Sequence, residues 1–139
     1  MTLNLATFIR IGGLLHFSIL LAGALTPRVL NWRTELRKLH PLSRHIIWVH
    51  GVFIVLTIIA FGLIATIHAP LLAAGSSALA RSVCAFIAVF WSTRLVIQFA
   101  LFDPGPLLST PLLRLGYHGL TVVFIYFGVT FGWAALSHL

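Results

Sequence analysis

The chain has 139 residues, 60% of them hydrophobic and 8% charged, with a formal net charge of +7 and a mean hydropathy of +1.07. A soluble domain carries about 25% charged residues, so this composition excludes an ordinary soluble fold and leaves one membrane domain of three or four spans. One cysteine, Cys84, excludes an intramolecular disulfide and any multi-cysteine zinc or iron–sulfur site.

The basic excess does not point to nucleic acid. Five of the nine basic residues, Arg28, Arg33, Arg37, Lys38 and Arg44, crowd into one loop between two apolar runs. Such a loop marks the cytoplasmic side of a multi-pass membrane protein and meets anionic headgroups. With the 28–45 loop inside, both termini lie outside.

The first span is expected at residues 5–25, closed by Thr26-Pro27. Ala22-Gly23-Ala24 resembles a cleavage site, but without a basic leader beyond Arg10 the segment reads as a retained span. Gly12, Gly13, His16, Leu20 and Gly23 recur at three- and four-residue steps, which gives a narrow face for close helix packing with His16 in its middle. Residues 29–39 follow as an amphipathic interfacial helix, with Val29, Trp32, Leu36 and Leu39 on one face and Pro41 as its stop. Ser43 is a candidate N-cap for the second span, residues 46–67. Residues 69–81 read as a short, weakly polar connection.

The third span, residues 82–102, ends at Asp103-Pro-Gly-Pro. Thr110-Pro111 reads as an N-cap followed by proline at the first helical position, opening the fourth span at 113–136. Gly128-x-x-x-Gly132 marks a second close-packing pair. The pattern predicts an all-α integral membrane four-helix bundle with an interfacial helix between the first two spans.

Arg94 is the most informative residue, because an arginine at membrane depth costs roughly 2.5–3.5 kcal/mol on insertion scales and needs protein, water or a ligand. Its side chain leans toward the far membrane face, so it is expected to stay inside the bundle near Trp91 and Gln98. At about 1.5 Å per residue, His16 should share its depth, with His50, Gln98, Tyr117 and His118 between it and the basic end. Carbonyls, Asp103 and water would satisfy Arg94 structurally. Otherwise its partner is a lipid headgroup, a quinone or a haem propionate.

His50-Gly51 and His118-Gly119 each place a histidine before a glycine near the same end of a helix. Two such histidines can bracket the iron of haem b, with His16 able to replace either one. The alternative is a neutral histidine bonded to a carbonyl or a neighbouring helix. Zinc is disfavoured because the usual set of cysteine or carboxylate partners is missing. Ser92, Ser109 and Cys84 lack a readable base and read as structural; Trp32, Trp48 and Trp133 read as interface anchors.

Leu39-x-Pro41-Leu42-x-Arg44, Trp48-Val49, Phe86-Ile87-Ala88-x-Phe90-Trp91-x-x-Arg94-Leu95-x-x-Gln98-Phe99 and Gly116-Tyr117-His118 together resemble a group of small bacterial inner-membrane proteins of uncharacterised function. The resemblance spans most of the chain and implies four helices. It also implies that tyrosine often stands in the place of His50, which moves weight to Arg94, Gln98, Tyr117 and His118. Leu15-His16, Ala22-Gly23 and Pro27-Arg28 resemble the first helix of the haem-binding four-helix protoporphyrinogen oxidases, though no counterpart of that family's intramembrane lysine motif is present.

Three functional readings follow. One is a protein with a polar pocket near the basic end that binds haem b, a quinone or a lipid-like ligand. The second is an accessory or structural subunit that meets a partner subunit or its own copies. The third is an enzyme on a lipid or tetrapyrrole using His118 or His16 as acid/base.

Overall fold

The structure is a computed structural model that describes residues 4–101, 103, 105 and 108–137. Among the described residues six α-helices follow one another: α1 Leu5–Val29, α2 Trp32–Arg37, α3 Pro41–Ile67, α4 Ala69–Ala74, α5 Ala78–Ala100 and α6 Pro111–Leu136. The first, third, fifth and sixth are long and apolar enough to cross a membrane, which makes this an all-α, multi-pass membrane bundle. No strand occurs among the described residues.

Helix starts obey local capping chemistry. Thr110 Oγ1 accepts from the Leu113 amide at 3.3 Å with Pro111 in the first turn, as the sequence predicts. Span two starts differently. His40, and not Ser43, caps α3: its Nδ1 accepts from the Leu42 amide at 3.3 Å, and Pro41 opens the helix instead of merely ending the one before. Ser77 Oγ accepts from the Ala80 amide, so α5 begins four residues ahead of the predicted span. The 69–81 connection contains the short helix α4, ended by Gly75 in the left-handed region at φ 54°.

Helix α1 runs through Pro27 to Val29 instead of stopping at Leu25. A proline in the last turn forfeits one bond, to the carbonyl of exposed Gly23, and the turn is held by Thr26 Oγ1 donating to Ala22 O at 3.0 Å. Asn31 then takes the left-handed conformation (φ 49°, ψ 43°) and breaks the chain before α2. The interfacial helix is therefore shorter than the expected 29–39 segment. Trp32 and Leu36 are half-buried, while Val29 and Leu39 are exposed. Phe102, Pro104, Pro106, Leu107 and His138 lie outside the described residues.

Packing is uneven along the helices. The buried core draws on residues 9–19 of α1, 58–65 of α3, 80–98 of α5 and 124–135 of α6, closed by Ala69 and Leu72 of α4. Nothing is buried in residues 41–57 or 111–123. The α1–α3 and α5–α6 pairs are thus joined at the end bearing α4 and left open at the end bearing α2, the basic end.

Candidate functional site

The packed end is organised by glycine. A Cβ on Gly13 would meet Thr66 Oγ1 and lie 2.7 Å from the Thr66 amide nitrogen; one on Gly62 would lie 3.1 Å from His16 Cβ and 3.2 Å from Gly13 O. Backbone meets backbone where α1 crosses α3, the close packing that the small-residue face of α1 predicts. Gly23 and Leu20 continue that face, but a Cβ on Gly23 would meet nothing within 4 Å, so the contact ends before the basic end. In the second pair, a Cβ on Gly128 would lie 3.0 Å from Ser92 Oγ.

His16 sits fully buried beside this crossing. Its Nδ1–H donates to Gly12 O at 2.7 Å, and Trp91 Nε1–H donates to its Nε2 at 3.0 Å. An indole N–H can only donate, so Nε2 must carry a lone pair and the ring is the neutral Nδ1–H tautomer. Phe127 stacks on the ring at 4.1 Å, and Phe61, Phe131 and Trp91 meet it edge-on. Both nitrogens are occupied by protein. Holding a haem iron or moving a proton through His16 would require breaking the Trp91 or Gly12 bond.

Arg94 does not lie inside the bundle. The side chain is exposed, and its guanidinium carbon stands 5.6 Å from the centroid of the Phe124 ring. Phe124 stacks on Trp91 at 5.0 Å, so the cation caps an aromatic stack that leads back to His16. At about 100° per residue, Arg94 falls about 20° from fully buried Ile87 on the α5 surface. It lies at the edge of the bundle-facing stripe: Gln98, about 20° from Ile87 on the other side, is buried against α6, whereas Arg94 is left exposed. Among the described residues no hydrogen bond or ion pair reaches its guanidinium.

Gln98 is the buried polar residue of the open half. Its Nε2 donates to Thr121 Oγ1 at 2.6 Å, and that hydroxyl donates to Tyr117 O at 2.9 Å, which ties α5 to α6. Tyr117 is half-buried on the stripe of Phe124, about 20° away. His118 is exposed about 120° from that stripe and touches only the neighbouring Tyr117 ring, at 5.4 Å. His50 is exposed on α3, about 20° from the position of Phe61, with Nδ1–H donating to Ile46 O at 2.8 Å. Phe61 packs on Phe86 and Phe90 of α5, so the α3 stripe that carries His50 is directed at α5.

The expected constellation is therefore divided. Arg94 and Gln98 lie on α5, Thr121 links Gln98 to the Tyr117 carbonyl on α6, His50 stands on α3, His118 lies off the stripe, and His16 is sealed into the core. Among the described residues no three histidines, cysteines or carboxylates gather as a metal site. Sequence reasoning missed Trp91 as the partner of His16. The signal was present, since a buried indole needs an acceptor and His16 lies at its depth. Thr121 left no such signal, because a threonine that bonds its own helix carbonyl is common in apolar helices. Comparisons with protein-family models, curated proteins and solved structures return no match, so the site stands on its geometry alone.

Proposed function

We propose that the protein is a bacterial inner-membrane protein that holds a lipid-like ligand or a quinone in the open half of its bundle. The basic 28–45 segment is cytoplasmic and both termini are outside, as its charge bias supports. One observation carries the reading: Arg94 is an exposed guanidinium within a candidate span, set over the Phe124 ring and with no hydrogen bond or ion pair among the described residues. Such a group is satisfied by a phosphate, a carboxylate or a carbonyl oxygen. Gln98 follows one turn along α5, with Tyr117 on α6 and His50 on α3 as further polar groups of this half. The gap between the helix pairs opens to the acyl chains, which suits a ligand with an apolar tail.

Haem b fits the same residues less well. A propionate suits Arg94, but His16 has no free nitrogen and His118 lies off the stripe to which His50 belongs. A separate observation favours the second reading, an accessory subunit or homo-oligomer. Every side chain of α3 from Ile46 to Leu56 is exposed, and a groove of about 450 Å³ on α5–α6 is lined by Ala88, Ser92, Gly128 and Gly132, a surface that suits a partner helix.

Mass spectrometry of small molecules extracted from the purified protein tests the choice. The wild type should carry a quinone or phospholipid near one per chain, and Arg94→Gln should lower its occupancy about tenfold with little change in thermal stability. An unchanged ligand profile with lower stability gives the accessory-subunit reading the advantage. A reducible Soret band in the absorption spectrum would replace the quinone with haem.

A further inference from the structure

A cavity lies on the other pair of helices, where α1, α2 and α3 meet. The left-handed Asn31 folds α2 back across the end of α1, and this corner encloses about 750 Å³. Arg28, from the last turn of α1, and Arg33, from the first turn of α2, both line it, with Pro27 beneath them. Trp32 and Trp48 form the wall, packed edge to face at 6.4 Å.

The lining is rich in donors and poor in acceptors. Two guanidiniums and two indole N–H groups have no hydrogen-bond acceptor among the described residues. Neither acid of the chain neutralises the corner. Glu35 is engaged by Lys38 Nζ at 2.8 and 3.0 Å, and Asp103 accepts from the Gly105 amide. A pair of guanidiniums beside indole donors matches a phosphodiester oxyanion, which takes several N–H bonds at once.

The surroundings say what the phosphate is attached to. Tryptophans of this kind sit at headgroup level, with the indole body in the apolar region and the N–H in the polar one. From the cavity, half-buried Leu20 lies one turn along α1 from the lining residue Ala24, and exposed Val52 and Val55 lie one and two turns along α3 from Trp48. These residues form an apolar track from the cavity toward the bilayer centre.

We infer that the α1–α2–α3 corner is a specific site for the headgroup of an anionic phospholipid, with its phosphate between Arg28 and Arg33 and an acyl chain along the α1–α3 groove. The site lies on the pair opposite Arg94, so it stands whether or not the open half holds a ligand.

The test is a titration of the full chain in neutral detergent with phosphatidylglycerol or phosphatidylcholine, read by tryptophan emission, since two of the four tryptophans line the cavity. Phosphatidylglycerol should bind with clear preference. Each arginine is worth about fivefold, so R28Q/R33Q should weaken it about 25-fold. R37Q/R44Q removes the same charge from exposed or half-buried positions outside the cavity and should weaken it far less. Equal losses in the two variants overturn the proposal in favour of diffuse surface charge. Inorganic phosphate, compared with chloride at equal ionic strength, should fail to displace the lipid. Displacement at millimolar phosphate overturns the lipid assignment and marks a site for a soluble oxyanion. Circular dichroism confirms that both variants fold, as exposed arginines without structural partners allow.

Discussion

The two ends of the bundle are built from the same apolar alphabet and behave oppositely. At the α4 end, glycines bring α1 onto α3, and Phe61, Trp91, Phe127 and Phe131 close around His16 until nothing polar lacks a partner. At the basic end, Leu, Ile, Val and Phe are as frequent, yet residues 41–57 and 111–123 bury nothing. Hydrophobicity does not decide between them, because lipid tails solvate leucine as well as another leucine does. What differs is the small residues and the polar bonds. Gly13 faces Gly62 at one end; Gly51, Gly116 and Gly119 face open space at the other. A membrane bundle closes where backbones can touch and polar groups can pair, and stays open where they cannot.

Substitutions at matched positions can break that comparison. The largest expected effect is His16→Ala, which removes two buried hydrogen bonds and leaves a cavity among four aromatic rings; it should cost about 3 kcal/mol. Equilibrium unfolding in mixed micelles measures it, and a loss below about 1 kcal/mol would show that the packed end is not organised around His16. Gly13→Ala comes next, at about 2 kcal/mol, since its Cβ must displace the Thr66 backbone. Gly119→Ala, with nothing near its Cβ, should be neutral or slightly stabilising, by up to about 1 kcal/mol. Similar losses at the two glycines would mean that the basic end is packed after all.

A smaller loss than at Gly13 is expected from the hydrogen bond that Trp91→Phe removes: the bond to His16 Nε2 contributes about 1 kcal/mol, in keeping with interhelical hydrogen bonds in membranes, and the smaller ring against Phe124 adds a cavity cost of its own. A double-mutant cycle with His16→Phe should recover that value as coupling energy; coupling near zero would assign the role of Trp91 to its ring alone. Arg94→Gln falls outside this series. It belongs to the open end, where a change of ligand occupancy and not of stability is the expected readout.

Much of the architecture was legible because membrane insertion works segment by segment. Each run long enough to span must satisfy its own backbone, and so the four helices, the Thr110-Pro111 start and the close-packing role of Gly12 and Gly13 could be read from short stretches. Helix ends were less legible. Whether Pro27 stops a helix or rides in its last turn depends on one exposed carbonyl, and whether Ser43 or His40 caps α3 depends on a side-chain rotation.

Counting along the spans gives each polar residue an expected depth but no direction, because rise per residue is a property of the helix alone, and the bond between His16 and Trp91 agrees with that count. Sequence alone determined the membrane class and the four spans. Only the tertiary structure decided that His16 turns inward to Trp91 while Arg94, two turns along α5 from buried Ile87, is exposed. The reason is physical. A side chain's surroundings are set by how far the neighbouring helix stands away, and that distance depends on glycines and aromatic rings on other segments of the chain.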